Sequence, residues 1–125
     1  MDNVESISEY CLQKAGVSSE FPFGDEVLVF KVLNKIFLLT NLNDHPLEVN
    51  LKAEPETAIE WRERFSAVRP GYHMNKKHWN TVTLDGELSA AQVREMIDHS
   101  YDRVVMGLTK KQREELKQIG YLRGS

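Results

Sequence analysis

Two strongly apolar runs, at residues 26–32 and 35–41, are separated by Leu33-Asn34 alone, and this spacing constrains the chain more than any other feature. Two residues can close an antiparallel hairpin but cannot carry a crossover between parallel strands. Leucine tolerates a positive φ poorly, so a two-residue mirror-image turn centred here would be strained, and a longer or bulged loop is expected. After Asp44-His45-Pro46, Leu47, Val49 and Leu51 alternate with Glu48, Asn50 and Lys52, which gives a third strand with one wet face. The run Phe21-Pro22-Phe23-Gly24 before the hairpin reads as a turn whose two aromatics plug an edge of the core.

Helical periods flank these strands. Val4, Ile7, Cys11, Leu12 and Ala15 recur at helical spacing, with Asp2 or Asn3 to cap the start and Gly16 to stop the end. Pro55 fits the first turn of a second helix, whose apolar stripe is Ala58, Trp61 and Phe65 and whose solvated side is Glu56, Glu60, Arg62, Glu63 and Arg64. Ser89 with Gln92 forms a capping box ahead of a long helix with Val93, Met96, Ile97, Ser100, Tyr101, Val104 and Leu108 inward. Thr109 with Gln112 repeats the box and starts a short helix ending near Ile119. The order of elements predicts an α+β sandwich, an antiparallel sheet of about five strands with helices packed on one face. One domain over residues 1–120 is expected, followed by a frayed tail at 121–125.

The segment at 69–84 differs from the rest of this acidic chain. It holds three cations, two histidines, a tyrosine and a tryptophan with no acid before Asp85, while the formal net charge of the whole is −3. Pro70-Gly71 signals a turn, and Trp79-Asn80-Thr81-Val82-Thr83-Leu84 reads as a half-buried strand. Lys76 and Lys77 can neutralise phosphates, His73 and His78 can hydrogen-bond them, and Trp79 offers a flat face for a base. The same lysines could simply keep a hairpin tip soluble, and a strand tryptophan commonly belongs to the core. If Trp79 shares the parity of Thr81 and Thr83, its ring lies on the sheet face away from the helices, with Asn50 and Lys52. A bulge between Trp79 and Thr81 would reverse this.

The stretch from Arg69-Pro-Gly-Tyr-His-Met-Asn-Lys-Lys-His-Trp-Asn-Thr-Val resembles the signature of the MmcQ/YjbR family of small bacterial domains. Phe21-Pro-Phe-Gly, Val29-Phe-Lys-Val, Val49-Asn-Leu-Lys and Ile97-Asp-His-Ser-Tyr-Asp extend the likeness over nearly the whole chain. The resemblance implies a fold like that of CyaY, the bacterial frataxin, and a non-enzymatic role in DNA binding. Leu33-Asn34 replaces the glycines usual in the family's first hairpin. Glu54 stands where the family places an aspartate, and its longer side chain makes a poorer helix cap.

Other chemistries find little support. His45, His73, His78 and His99 lack the spacing of a zinc site, and one cysteine cannot build a structural zinc cluster. His99 lies between Asp98 and Ser100 on a helix, where neighbouring side chains diverge by about 100° and cannot form a triad; its ring is expected at the helix and sheet boundary, satisfied by a backbone carbonyl. Asp2, Glu5 and Glu9 are too sparse to carry over the iron-binding ridge of frataxins. No Gly-rich phosphate loop follows a strand, so no cofactor is expected. Hydrophobic residues at 41% and charged residues at 28% suit a soluble globular protein. The N-terminus has no basic and apolar leader, which leads to the expectation of a cytoplasmic protein without membrane contact.

The expected activity is weak, salt-sensitive binding of DNA through the open sheet face and the basic loop. Lys76 and Lys77 would contact phosphates, Arg69 and Lys52 would extend the positive strip, and Asn75, Trp79 and Asn80 would meet bases, with His73 and His78 alongside. Three to five engaged cations predict a log-log salt slope of about −3 to −4.5 on duplex DNA. The alternative is a protein-interaction or small anionic-ligand module, which the net charge of −3 and the absence of an arginine-dense recognition helix favour.

Overall fold

A computed structural model of the chain describes residues 1–72 and 74–124, the side chains of 121–124 excepted. Among the described residues it contains helices α1 (Val4–Leu12), α2 (Pro55–Arg64), α3 (Ala90–Met106) and α4 (Lys110–Gly124). The strands are β1 (Val17–Glu20), β2 (Val27–Val32), β3 (Lys35–Asn41), β4 (Glu48–Lys52), β5 (Val68–Pro70) and β6 (Trp79–Thr83). They form one antiparallel sheet in the order β1-β2-β3-β4-β6-β5. This is the expected α+β sandwich, with six strands rather than five. The additional strand, β1, is a short and largely exposed edge strand whose Lys31–Glu20 ion pair ties it to β2.

Alternation decides which face is covered. Leu28, Phe30, Leu38, Val49, Leu51 and Val82 share one face and join Ile7 of α1, Val93, Met96 and Ile97 of α3, and Leu116 of α4 in a single buried cluster. Ser100 fastens α3 to this face: its hydroxyl donates to the Phe37 carbonyl at 2.5 Å and accepts the Lys52 amide at 2.8 Å. Those two bonds occupy backbone groups at the junction of β3 and β4 that would otherwise be buried without a partner.

The first hairpin closes differently from expectation. Val32 pairs with Lys35, so the turn has two residues, with Leu33 at φ 44° and Asn34 at φ 71°. These are the positive torsions of a mirror-image turn, and leucine accepts the strain. The irregularity lies within the strands instead. Phe30 faces Leu38 and Lys31 faces Ile36, which leaves Phe37 unmatched. This bulge brings both Phe37 and Leu38 into the core at 0% exposure while Ile36 turns elsewhere.

The helix ends follow the capping logic, with two of them displaced. Asn3 caps α1 by accepting the Ser6 amide, and both capping boxes form, Ser89 with Gln92 and Thr109 with Gln112. Helix α1 ends at Leu12 rather than near Gly16, and α4 runs to Gly124, past Ile119 and through most of the tail expected to fray; Ser125 lies outside the described residues. Glu54 does cap α2, its carboxylate accepting the Thr57 amide at 3.1 Å, and this bond holds its pKa below the usual value. Arg62, expected on the solvated side of α2, is half-buried and turned toward β6.

His99 is placed at the helix and sheet boundary, but its partner is an amide rather than a carbonyl. Its Nε2 accepts the Glu54 backbone N–H at 3.0 Å, and the Trp61 ring meets it edge-on at 5.1 Å. Burial first, and then the Arg103 cation, lower its pKa. An imidazole with a depressed folded pKa is protonated first in the unfolded chain, so stability is present above about pH 6.5 and is lost as pH falls below it. Urea unfolding between neutral and mildly acidic pH should show this loss, and His99→Gln should flatten it; an unchanged slope would contradict the assignment.

Candidate nucleic-acid interface

The register of β4 on β6 sets the site. Glu48 lies opposite Thr83, Asn50 opposite Thr81 and Lys52 opposite Trp79, with no shift along the pair. Trp79 therefore has the parity of Thr81 and Thr83 and stands with Lys52 on the face turned away from the helices. Arg69 of β5 joins this face opposite Thr81.

The loop between β5 and β6 is held by its own backbone and by one arginine. Gly71 donates to the Trp79 carbonyl at 2.9 Å, and a Cβ at Gly71 would stand 3.0 Å from that oxygen and from the Trp79 Cβ, so the close crossing favours glycine. Asn75 closes a local turn, its Oδ1 accepting the Lys77 amide at 2.9 Å, and the His78 amide donates to the Asn75 carbonyl. The His78 carbonyl in turn accepts the Ala53 amide, tying the loop to the end of β4. Arg62 reaches across from α2: its Nε donates to Asn80 Oδ1 at 2.6 Å and its Nη2 donates to the Lys76 carbonyl. Lys76 and Lys77 are left exposed at the tip, and neither enters an ion pair among the described residues.

The expected site residues separate into two groups. Lys52, Asn75, Lys76, Lys77, His78 and Trp79 lie on the open face or on the loop bordering it. Asn80 does not. It is 2% exposed on the helix side, with its amide nitrogen donating to the Ala58 carbonyl at 3.3 Å and its oxygen taken by Arg62. The alternation that turns Trp79 outward turns Asn80 inward, so Asn80 anchors α2 and the loop and is not available to a base edge. Arg69 is on the open face but is neutralised, paired with the Glu48 carboxylate and donating to Thr83 Oγ1 at 3.0 Å. His73 lies outside the described residues.

Phe23 and Met74 border this face and were not among the expected site residues. Phe21 and Phe23 do not plug the core: they are 45% and 67% exposed, and Phe23 borders a groove of about 560 Å³ on the open face. Val27, Ile36 and Leu39 also line this groove, and Met74, from the basic loop, borders it as well. The polar lining includes Asn50 and Thr81, which are bonded to each other, Thr81 Oγ1 donating to Asn50 Oδ1 at 2.7 Å. Phe23 sits in an apolar run that sequence logic sends inside, and Met74 carries no charge or ring to single it out.

Among the described residues no group of three or more His, Cys, Asp or Glu side chains is placed to hold a metal ion. Cys11 is fully buried, and desolvation pushes its thiol up to about 12, which makes it a core side chain rather than a nucleophile. Among the described residues no helix is long and apolar enough to cross a membrane.

Comparison with known proteins agrees with this architecture. A family model described as YjbR matches residues 12–103. The Escherichia coli O157:H7 uncharacterized protein YbdF is 37% identical over 114 residues, spanning 90% of this chain and 93% of its own. The uncharacterized protein YjbR of Escherichia coli K12 is 33% identical over 116 residues, spanning 93% and 98%. Among solved structures, the Deinococcus radiodurans protein DR2400, described as a DUF419 domain, superposes with a TM-score of 0.87 at 41% identity, covering 94% of this chain and 89% of that one. A Pseudomonas syringae protein gives a TM-score of 0.67 at 27% identity, covering 78% and 95%.

Proposed function

The chain belongs to the YjbR family, with the uncharacterized proteins YbdF and YjbR of Escherichia coli among its relatives, and from its own surface we propose that it binds nucleic acid without catalysing a reaction. One observation supports this most directly. Lys52 stands opposite Trp79 on the open sheet face, at the foot of a loop that presents Lys76 and Lys77 to solvent. A flat aromatic next to three lysines offers stacking to a base and attraction to phosphate in one patch.

The neutralised Arg69 lowers the number of available cations. With Lys52, Lys76 and Lys77 engaged, log affinity should fall against log salt with a slope of about −2.7 on duplex and about −2 on single strands. Fluorescence anisotropy with labelled oligonucleotides over a range of salt measures this. Arg69→Ala should leave the slope unchanged, because its charge already belongs to Glu48. A flat salt response would contradict the reading, and so would a slope near −4.5 that falls by about one with Arg69→Ala.

The groove favours a second reading, a small-ligand module. Its volume of about 560 Å³ lies within the range of pockets for small molecules, about 300–1,000 Å³. Under that reading the lysine-bearing loop would hold an anionic group of the ligand, and DNA would not compete for it.

A further inference from the structure

The geometry points to single-stranded nucleic acid as the ligand, with one unstacked base seated in the groove between Phe23 and Met74 while the backbone runs over the lysines of the adjoining loop. This rests on the nucleic-acid reading above and specifies which form of nucleic acid the face accepts.

The groove and the cations are physically joined. Met74 lines the groove and lies in the same loop as Lys76 and Lys77, so a strand several nucleotides long with one base in the groove can meet those lysines. Their chemistries differ. The groove is bordered by Phe23, Val27, Ile36, Leu39 and Met74, and its charged members are Asp44, Glu48 and an Arg69 already paired with Glu48. An anion gains nothing there, since the lining carries two carboxylates against one engaged guanidinium. A neutral, flat group suits it, since the Asn50 and Thr81 side chains beside it are bonded to each other and call for no charged partner. A nucleotide in a strand has this division: an uncharged ring with donors and acceptors on its rim, and an anionic backbone a few bonds away.

Duplex ends or intact base pairs do not fit the same way. A paired base must be unstacked and unpaired before it can enter a pocket, and that cost separates the two forms. Phe23, 67% exposed at the rim, offers a ring face to the entering base, and Met74 a polarizable thioether. Both are peripheral to the buried cluster that holds the sheet to its helices, so replacing them leaves the core untouched.

The test compares three probes of matched length on the parent protein at low salt: a thymidine oligonucleotide, an abasic strand with the same phosphates, and a duplex. The thymidine strand should bind about tenfold more tightly than either of the others. A Phe23→Ala/Met74→Ala variant should lose most of that advantage, keeping only what stacking on Trp79 supplies, and should keep the parent's salt slope, because it retains every lysine. Equal affinities of the parent for all three probes would overturn the base-in-groove assignment while leaving nucleic-acid binding standing. So would a groove variant that discriminates as strongly as the parent. Absence of binding to every probe would overturn both.

Discussion

Phe37→Ala is expected to destabilise the fold by about 3–5 kcal/mol, read as a lowered urea midpoint with an unchanged m-value. Phe37 is the extra residue of the β3 bulge, is 0% exposed, and meets the Tyr101 ring edge-on at 5.5 Å. Its carbonyl accepts the Ser100 hydroxyl, so it lies where α3 is fastened to the sheet. The bulge leaves the ring no partner across the strand pair and surrounds it with core side chains, which cannot collapse onto the vacated volume without shifting α3. A loss below about 1 kcal/mol would mean that the bulge relaxes, with Phe37 contributing little to the core.

The second large effect concerns binding. Lys76→Ala/Lys77→Ala should reduce the salt slope on single strands from about −2 to about −0.7, leaving Lys52 as the remaining engaged cation. Affinity at low salt should fall with it, while urea unfolding stays within about 0.5 kcal/mol of the parent because both side chains are exposed. The loop keeps its shape in this variant, since Arg62 grips the Lys76 backbone carbonyl rather than its side chain. An unchanged slope would place the phosphate contacts elsewhere on the molecule.

Much of this site could be read from residue order. The period-two alternation through Val82 placed Trp79 with Thr81, Thr83, Asn50 and Lys52, and β6 carries no bulge to invert it. The same alternation, applied one residue on, sends Asn80 into the helix side; its polar amide suggested an exposed role only because buried asparagine is uncommon. Arg69 could not be assigned from its position in the chain, since its pairing with Glu48 depends on β5 reaching across β6 toward β4. Phe21 and Phe23 were misplaced for a related reason. Aromatics default to the core, and only the assembled sheet, with its helix face already filled, leaves Phe23 at the rim of an open groove. Strand β1 is not legible in the sequence, because Val17-Ser-Ser-Glu is a short edge with little apolar signal.

Ligand is expected to meet the open face at Trp79, and the two tryptophans can be separated to test this. Trp61 packs against His99 on the helix side, so Trp61→Phe leaves Trp79 as the sole tryptophan emitter on a conservatively altered protein. Titrating this variant with a thymidine oligonucleotide at low salt, while following both anisotropy of the strand and tryptophan emission, reports location and affinity together. Quenching that saturates with the anisotropy change, and that weakens with salt at a slope of about −2, is the predicted result. Saturable binding with unchanged Trp79 emission, or no binding at all, would contradict it.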